Sequence, residues 1–513
     1  MANAKYMSVA KEQCLPTTRS DIQHTIVGLL DRHDSRFVRL QGSPGTGKTA
    51  IAKSIAESLD RDKRLAASFF WDKTGSREGA YSIERFPCTL ADQLASFSPE
   101  YERLLVNHLL HPSSRGVHML PLEGQMVSLV IEPMSKISEM FSLTYPVIVL
   151  DGLDECGDRE TLEKLMQLVL LLNQLPPTFI VLVSSRPESE IRAVWGSSDD
   201  VSCLSTDKIR EDDTDHTIRE MVKAGLATIH PRHPPDWPPE DDLRTFVQTC
   251  RQLPVLAVIR VREVKILAKG LTLQEAFEEV KKDGALSKDL NDDYLRILRR
   301  AYRGVRPRVL DRYREVVGTV IAAQTPLGVA VISKILGISD ERIRAALDPI
   351  SPILNVPTSD SNPIHFYHAT AKEFLIGPPH GDENDREFFF SDVKGVFLAL
   401  PLLKILNCNL KRNIANTPNL TPFGEGGDTD DGSNLEQYVV YAAKHWQVHL
   451  DLSLASEELW VELRLFLTTK LLFWMEFLET RASGLQTLLE QEQASGILYF
   501  PEPSASLIQM SAM

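Results

Sequence analysis

The stretch Gly42-Ser-Pro-Gly-Thr-Gly47-Lys48-Thr49 constrains this chain more than any other. Its spelling fits G-x-x-x-x-G-K-[ST]. Glycines let a backbone turn tightly and aim successive N–H groups into one anion-binding concavity. A helix that follows adds the positive end of its dipole. Lys48 has the reach for β- and γ-phosphates, and the Thr49 hydroxyl can ligate Mg²⁺. The flanks agree: FVRLQ (37–41) reads as a short buried strand, and KTAIAKSIAESL (48–59) as a helix with Ile51, Ile55 and Leu59 on one face. Gly42, Gly45, Gly47, Lys48 and Thr49 are therefore candidate nucleotide-binding residues.

A second signal is PVIVLDGLDEC (146–156), an apolar run ending in Asp151. A buried strand that ends in a carboxylate sets it at the carboxyl edge of a parallel sheet, beside the phosphate loop. There Asp151 can hold Mg²⁺ through its water shell. Asp154 and Glu155 follow closely, and either can orient an attacking water. An acidic helix start would leave the same letters, but the upstream glycine-rich loop favours the catalytic reading.

Apolar runs at FVRLQ, AASFF (66–70), PVIVL (146–150), FIVLVSS (179–185) and VSCLS (201–205) alternate with helical patterns such as LEKLMQLVLLLNQL (162–175). That alternation predicts an α/β fold with a parallel sheet covered on both faces. With 513 residues and 43% hydrophobic content, several domains with real cores are available. A net charge of −14 leaves no global basic footprint for nucleic acid. The six cysteines are scattered without a C-x-x-C pair, which points to reduced thiols and not to a disulfide framework or zinc. MANAKYMSVAKEQ lacks the apolar core of a signal peptide, and no run of 18 apolar residues occurs. The expectation is a soluble cytoplasmic protein with no membrane partner.

Beyond the sheet, HPRHPPDWPPEDD (230–242) reads as a proline-rich linker and the remainder as mostly helical. One exception is 306–376, where three helices precede SPILNV (351–356), a polar turn and IHFYH (364–368), suggesting a winged-helix unit. Its third helix, SDERIRAALDPI (339–350), has two arginines against three acids, a poor reader of a DNA groove. RILRRAYRGVRPRVLDRYR (296–314) carries eight arginines against one acid and reads as a solvated face paired to nearby acids. His445 and His449 have a zinc-compatible helical spacing, but no third ligand completes a site. LWVELRLFLTTKLLFWMEFLE (459–479) reads as a buried helix, and 413–434 as a polar surface loop.

LDGLDE, its spacing from the phosphate loop, and SSRPE (184–188) resemble a NACHT domain, of the multi-domain signal-transducing (STAND) class of P-loop NTPases. CLPTTR (14–19), SFFWDK (68–73), TLADQLA (89–95) and YAAKHWQVHL (441–450) resemble its fungal branch, with nephrocystin 3-like N-terminal domains. The resemblance implies a five-stranded sheet in the order 5-1-4-3-2, then a helical domain, a winged-helix domain and an all-α C-terminal region. The implied boundaries are 1–36 for the lead-in, 37–208 for the NTPase, 209–305, 306–380 and 381–513. By the same resemblance, Arg186 is the sensor arginine for a γ-phosphate, Pro254 packs on adenine, and Arg19 borders the base. His368, in HFYHATAKEFL, matches a histidine that touches the β-phosphate of ADP.

The implied ligands are ATP or ADP with Mg²⁺, and the implied activity is a switch timed by slow ATP hydrolysis. ADP would hold a closed form, and ATP would release surfaces for self-association and for protein partners, in fungal non-self recognition or regulated cell death. In this class the winged helix is a nucleotide-gated clasp, so no nucleic-acid partner is expected. Position 73 is Lys where the branch usually has Arg, and Gly152 leaves no glutamate directly after Asp151, which disfavours a rapidly cycling motor. Only 13 residues precede CLPTTR, so sensor and output modules are expected from partners or not at all. The rival expectation is a scaffold that holds nucleotide without switching; Lys48, Thr49, Asp151 and Glu155 oppose it.

Overall fold

The computed structural model describes residues 13–32, 34–72, 82–111, 116–141, 145–195, 201–229, 237–391, 396–412, 436–451, 453 and 455–478. Lys73, the polar loop 413–434, the N-terminal stretch 1–12 and the linker residues 230–236 lie outside the described residues. Two compact units result, one within Met1–Leu105, Pro121–Ala330 and Ile338–Val393, the other within Val106–Leu120, Val331–Gly337 and Lys394–Met513.

The first unit is built on five parallel strands: β1 (Phe37–Gln41), β2 (Leu65–Phe70), β3 (Val147–Asp151), β4 (Ile180–Ser185) and β5 (Val201–Ser205). They pair in the order β2-β3-β4-β1-β5, which is the expected 5-1-4-3-2 counted from the other edge. β3 starts one residue later than its apolar run, because Pro146 has no N–H to give the ladder. β3 and β4 are buried along their whole length. Each Val, Ile or Leu so buried contributes about 1.5–3 kcal/mol. Pairing of Gln41 with Ser185 and of Asp151 with Ser184 brings the carboxyl ends of β1, β4 and β3 level. That common edge is where a doubly wound sheet binds ligands.

Helix α1 (Lys48–Arg61) begins inside the glycine-rich stretch and buries Ile51, Ala52, Ile55, Ala56 and Leu59, the 3.6-residue stripe predicted for it. Helices α2 (Glu211–Ile229), α3 (Pro254–Leu267) and α4 (Leu290–Tyr302) follow the sheet. The proposed linker ends early, since a helix spans Glu240–Thr249. Glu240, Asp241 and Asp242 occupy its first turn, where the helix dipole favours acids, so letters that looked like linker composition start a helix.

Three helices, Pro307–Ala322, Val329–Leu336 and Asp340–Leu347, precede the short antiparallel pair β6 (Leu354–Asn355) and β7 (His365–Phe366). Helix α5 (Ala369–Ile376) comes next. The arginine-rich stretch is paired to acids, but not locally: Arg299 meets Asp385, Arg300 meets Glu263 and Asp283, and Arg303 meets Asp382, with Glu263 and Asp385 buried.

Two expectations change in the second unit. The apolar segment 459–479 is not a buried helix: Leu459, Leu463, Phe466, Trp474 and Phe477 are buried, but Val461, Leu472 and Met475 are more than half exposed. Its buried residues recur at helical spacing and the remaining positions are exposed or half-buried, so it is amphipathic. The His445–His449 helical spacing is also not realised, because the helix Gln437–His445 ends and a tighter turn, Trp446–His449, takes over. His449 Nε2 lies 3.1 Å from the Tyr441 hydroxyl in the core.

Candidate nucleotide-binding site

The loop after β1 needs its glycines for two separate reasons. Gly45 and Gly47 have φ of +80° and +95°, a region that L side chains rarely adopt. A Cβ on Gly42 would overlap the Thr206 hydroxyl, and one on Gly45 would overlap Val255. The Thr46 hydroxyl lies 2.9 Å from the Ser43 carbonyl and 2.7 Å from the Thr206 hydroxyl. The Ser43 N–H donates to both carboxylate oxygens of Asp207 at 3.0 Å. Thr206 and Asp207, directly after β5, thus hold the loop in shape, a role that no motif in the sequence signals.

Lys48 Nζ donates to the Gly42 and Ser43 carbonyls at 2.8 and 2.9 Å, so the ammonium lies over the loop it belongs to. Burial pulls its pKa below the ordinary lysine value, with Asp154, Asp151 and Glu155 opposing that pull. Thr49 is the second residue of α1.

Asp151, at the end of β3, is fully buried and accepts a short hydrogen bond from the Ser184 hydroxyl of β4. Gly152 then turns with φ +74°, and a tight turn over Leu153–Glu155 carries the two other acids. Asp154 is committed to Arg186: Oδ1 accepts the Arg186 N–H at 2.8 Å, and Oδ2 is 3.1 Å from its Nε. Arg186 has a second carboxylate, for its Nη1 donates to Glu373 Oε2 of α5 at 2.9 Å. Burial opposes the charge on Arg186, but Glu373, Asp154 and Glu155 outweigh it and raise its pKa. Glu373 lies within the HFYHATAKEFL phrase, but the sequence assigned it no role.

Arg19, only 3% exposed, donates to the Thr46 carbonyl of the loop at 3.4 Å and to the Thr214 hydroxyl of α2 at 2.9 Å. Pro254 opens α3, and the N–H of Val255 donates to the Gly45 carbonyl at 3.3 Å. The preceding Arg251 and Gln252 both have positive φ, +48° and +59°. Each is tethered, Arg251 to Asp293 at 2.7 Å and Gln252 to Asp215 at 2.6 Å. His368 caps α5, its Nδ1 accepting the Thr370 N–H at 3.3 Å. The structure therefore gathers Arg19, Val255 beside Pro254, and the loop directly. Asp154 and Arg186 meet each other, and His368 joins through its helix, whose Glu373 reaches Arg186.

A strand, a lysine-bearing glycine loop and a helix, with an acid closing a strand two places away in the sheet, decide the fold. This is a P-loop NTPase fold. Residues 23–186 of the chain match the family described as Nephrocystin 3, N-terminal. No curated protein matches the chain. Among solved structures, a STAND protein with a tetratricopeptide repeat sensor from Pyrococcus horikoshii is similar at 12% identity and a TM-score of 0.41, over 79% of this chain and 47% of that one. The chain thus spans about half of that protein's length. A Walker-type ATPase of Pyrococcus abyssi is similar at 14% identity and a TM-score of 0.34, over 73% and 98%. Drosophila ORC bound to DNA is similar at 12% identity and a TM-score of 0.33, over 67% and 90%. Among the described residues of this P-loop chain, no helix is long and apolar enough to cross a membrane.

The residues present fit a nucleotide with Mg²⁺: Gly45 and Gly47 turn the loop at positive φ, and a lysine and a fully buried aspartate accompany it. Thr49 and Asp151 would hold the metal, which supplies charge neutralisation between phosphate oxygens.

Proposed function

We propose that this chain is a nucleotide-controlled conformational switch of the NACHT type, binding ADP in one state and ATP in the other. The observation that carries the reading is the Arg186–Glu373 ion pair at 2.9 Å, which ties the end of β4 to α5. An arginine at the carboxyl edge of the sheet is where a terminal phosphate is sensed, and here it is engaged by a carboxylate from a helix 187 residues away in sequence. Arg186 that turns to a γ-phosphate gives up Glu373, and α5 with the winged-helix unit before it is released. Each nucleotide then favours one conformation by its differential contacts, as switching requires.

In this reading Gly42, Gly45, Gly47 and Lys48 cradle phosphates, Arg19 and Pro254 flank the base end of the loop, and His368 faces the diphosphate form. Asp154 meets Arg186 through both oxygens, and Asp154 or Glu155 positions water in slow hydrolysis. Self-association of the ATP form, unnamed protein partners and a cytoplasmic role in fungal non-self recognition or regulated cell death complete the proposal.

The test is the nucleotide extracted from freshly purified protein and separated by chromatography. Near-stoichiometric ADP in wild type, lost in Lys48→Ala, is the expected result. Equal nucleotide content in wild type and Lys48→Ala would overturn the assignment of the loop. Tightly held ATP that is unchanged in Arg186→Gln would point to a scaffold that does not switch.

A further inference from the structure

β5 is the last strand at its edge of the sheet, and in its pairing with β1 Cys203 stands opposite Arg39. Paired residues of parallel strands project to the same face, so the thiol and the guanidinium share one side of the sheet. Trp195, which ends the helix Ser189–Trp195, packs on that side. The centre of its ring is 5.2 Å from that of Phe37 and 6.0 Å from the guanidinium carbon of Arg39. Exposure divides the group: Arg39 is 4% exposed and Trp195 5%, whereas Cys203 is open to solvent.

The buried pair brings a surplus of donors. Nε and Nη2 of Arg39 and Nε1 of Trp195 are buried without a hydrogen-bond partner. Guanidinium and indole N–H groups can only donate, so what this cluster lacks is an acceptor. A buried donor left unmade costs its full desolvation, and a buried charge costs more. Among the described residues no carboxylate pairs with Arg39. Burial pulls its pKa below the ordinary guanidinium value; Cys203 opposes that pull and a second cation, Arg192, adds to it. A thiol sulfur is a weak acceptor. An oxygen carried on that sulfur is a strong one.

We infer that Cys203 is an oxidation site, at which Arg39 and Trp195 receive the oxygen of a cysteine sulfenic acid. The oxidant is hydrogen peroxide. The thiol sulfur attacks one peroxide oxygen, an S–O bond forms, and the O–O bond breaks. The second oxygen leaves as water with the thiol proton. Sulfur gives up an electron pair and the peroxide takes it, so no further reductant or oxidant is needed. Arg39 donates first to the departing oxygen and then to the sulfenic oxygen, which supplies the acceptor that the cluster lacks. Solvent access and a cationic neighbour are the conditions under which cysteine oxidation becomes site-selective. No nucleotide takes part.

The test treats the full chain with hydrogen peroxide, traps sulfenic acid with dimedone, and maps the labelled peptides by mass spectrometry. Cys408, which is also exposed, serves as the internal control. Cys203 should be labelled about tenfold faster than Cys408, the gain that a charge-assisted donor beside the sulfur provides. Arg39→Met keeps the bulk of the side chain and removes an unpaired buried charge, so its urea midpoint should equal or exceed that of wild type. In the same variant the preference for Cys203 should disappear. Arg192→Gln, at an exposed position, should lower it about twofold. Equal labelling of the two cysteines in wild type, or an undiminished preference in Arg39→Met, overturns the site. A lower urea midpoint in Arg39→Met would mean that Arg39 is already paired, and overturns it as well.

Discussion

The phosphate loop is held by contacts too short and crowded to yield, whereas α5 meets the end of β4 through long charged side chains. On the loop side, Gly42 touches Thr206, Gly45 touches Val255, and backbone groups of Ser43, Gly45 and Thr46 are each bonded to fixed partners. On the helix side, the link is Arg186 with Glu373, two groups with 18% and 30% of their side-chain surface exposed. Close packing transmits strain and tolerates little movement. A partly exposed ion pair forms and separates at a cost of order 1 kcal/mol. In the proposed switch the packed loop stays fixed, and the charged side chains are the part that lets go.

Breaking the charged side at its buried root has the largest expected effect. Asp293 is fully buried among Arg251, Arg260 and Arg296. Asp293→Ala would strand those cations and free the loop that presents Val255, with a loss of about 3–5 kcal/mol, read as a lower urea midpoint. A midpoint within error of wild type would show that the arginines are satisfied elsewhere.

Breaking the packed side comes next. Gly45→Ala must adopt φ +80° and meets Val255, at a cost of about 1–3 kcal/mol. Pairing it with Val255→Ala should recover part of that loss, because the overlap disappears while the φ penalty stays. Full recovery would mean that the backbone conformation costs nothing. A smaller effect is expected at the link itself: Glu373→Gln keeps the shape, loses the charge, and should shift preference from ADP toward ATP about fivefold, near 1 kcal/mol. The shift should shrink in high salt, as a partly exposed pair requires. Equal binding of the two nucleotides before and after substitution would remove Glu373 from the switch.

The smallest effect is a pH dependence. Burial alone would raise the Asp385 carboxyl, but Arg299 and the Asp382 N–H outweigh it and hold its pKa below the usual range. A depressed folded value means that the unfolded chain binds the extra proton first. Asp385 therefore stabilises the fold above about pH 4, and that contribution is lost as pH falls through the folded value. Asp385→Asn should flatten the acid limb of a stability–pH curve; an unchanged limb would assign acid sensitivity to other carboxylates.

Much of this was legible in one dimension. GSPGTGKT, the apolar runs and the carboxylate after VIVL are local patterns, and local patterns determine strands, a loop and a helix start through periodicity and backbone chemistry alone. Gly45 and Gly47 could be named in advance because positive φ is a property of single residues. The misreadings were local as well: PPEDD looked like linker because acids serve both linkers and helix starts, and the 459–479 run looked buried because hydropathy does not say which face is covered.

What only the tertiary structure decided is which distant groups meet. Glu373 with Arg186, Tyr294 with Thr370, Asp207 with Ser43 and Gln252 with Asp215 are pairs of ordinary polar residues with no periodicity between them. Their partnership depends on how the sheet edge and the helices that follow it fold back on each other. The sequence by itself determined a phosphate-binding P-loop fold, because that chemistry is written in contiguous residues. The choice of Arg186 as a bridge and of Asp154 as its holder belongs to the folded chain, because a hydrogen bond is decided by distance and direction, and neither exists before the chain is folded.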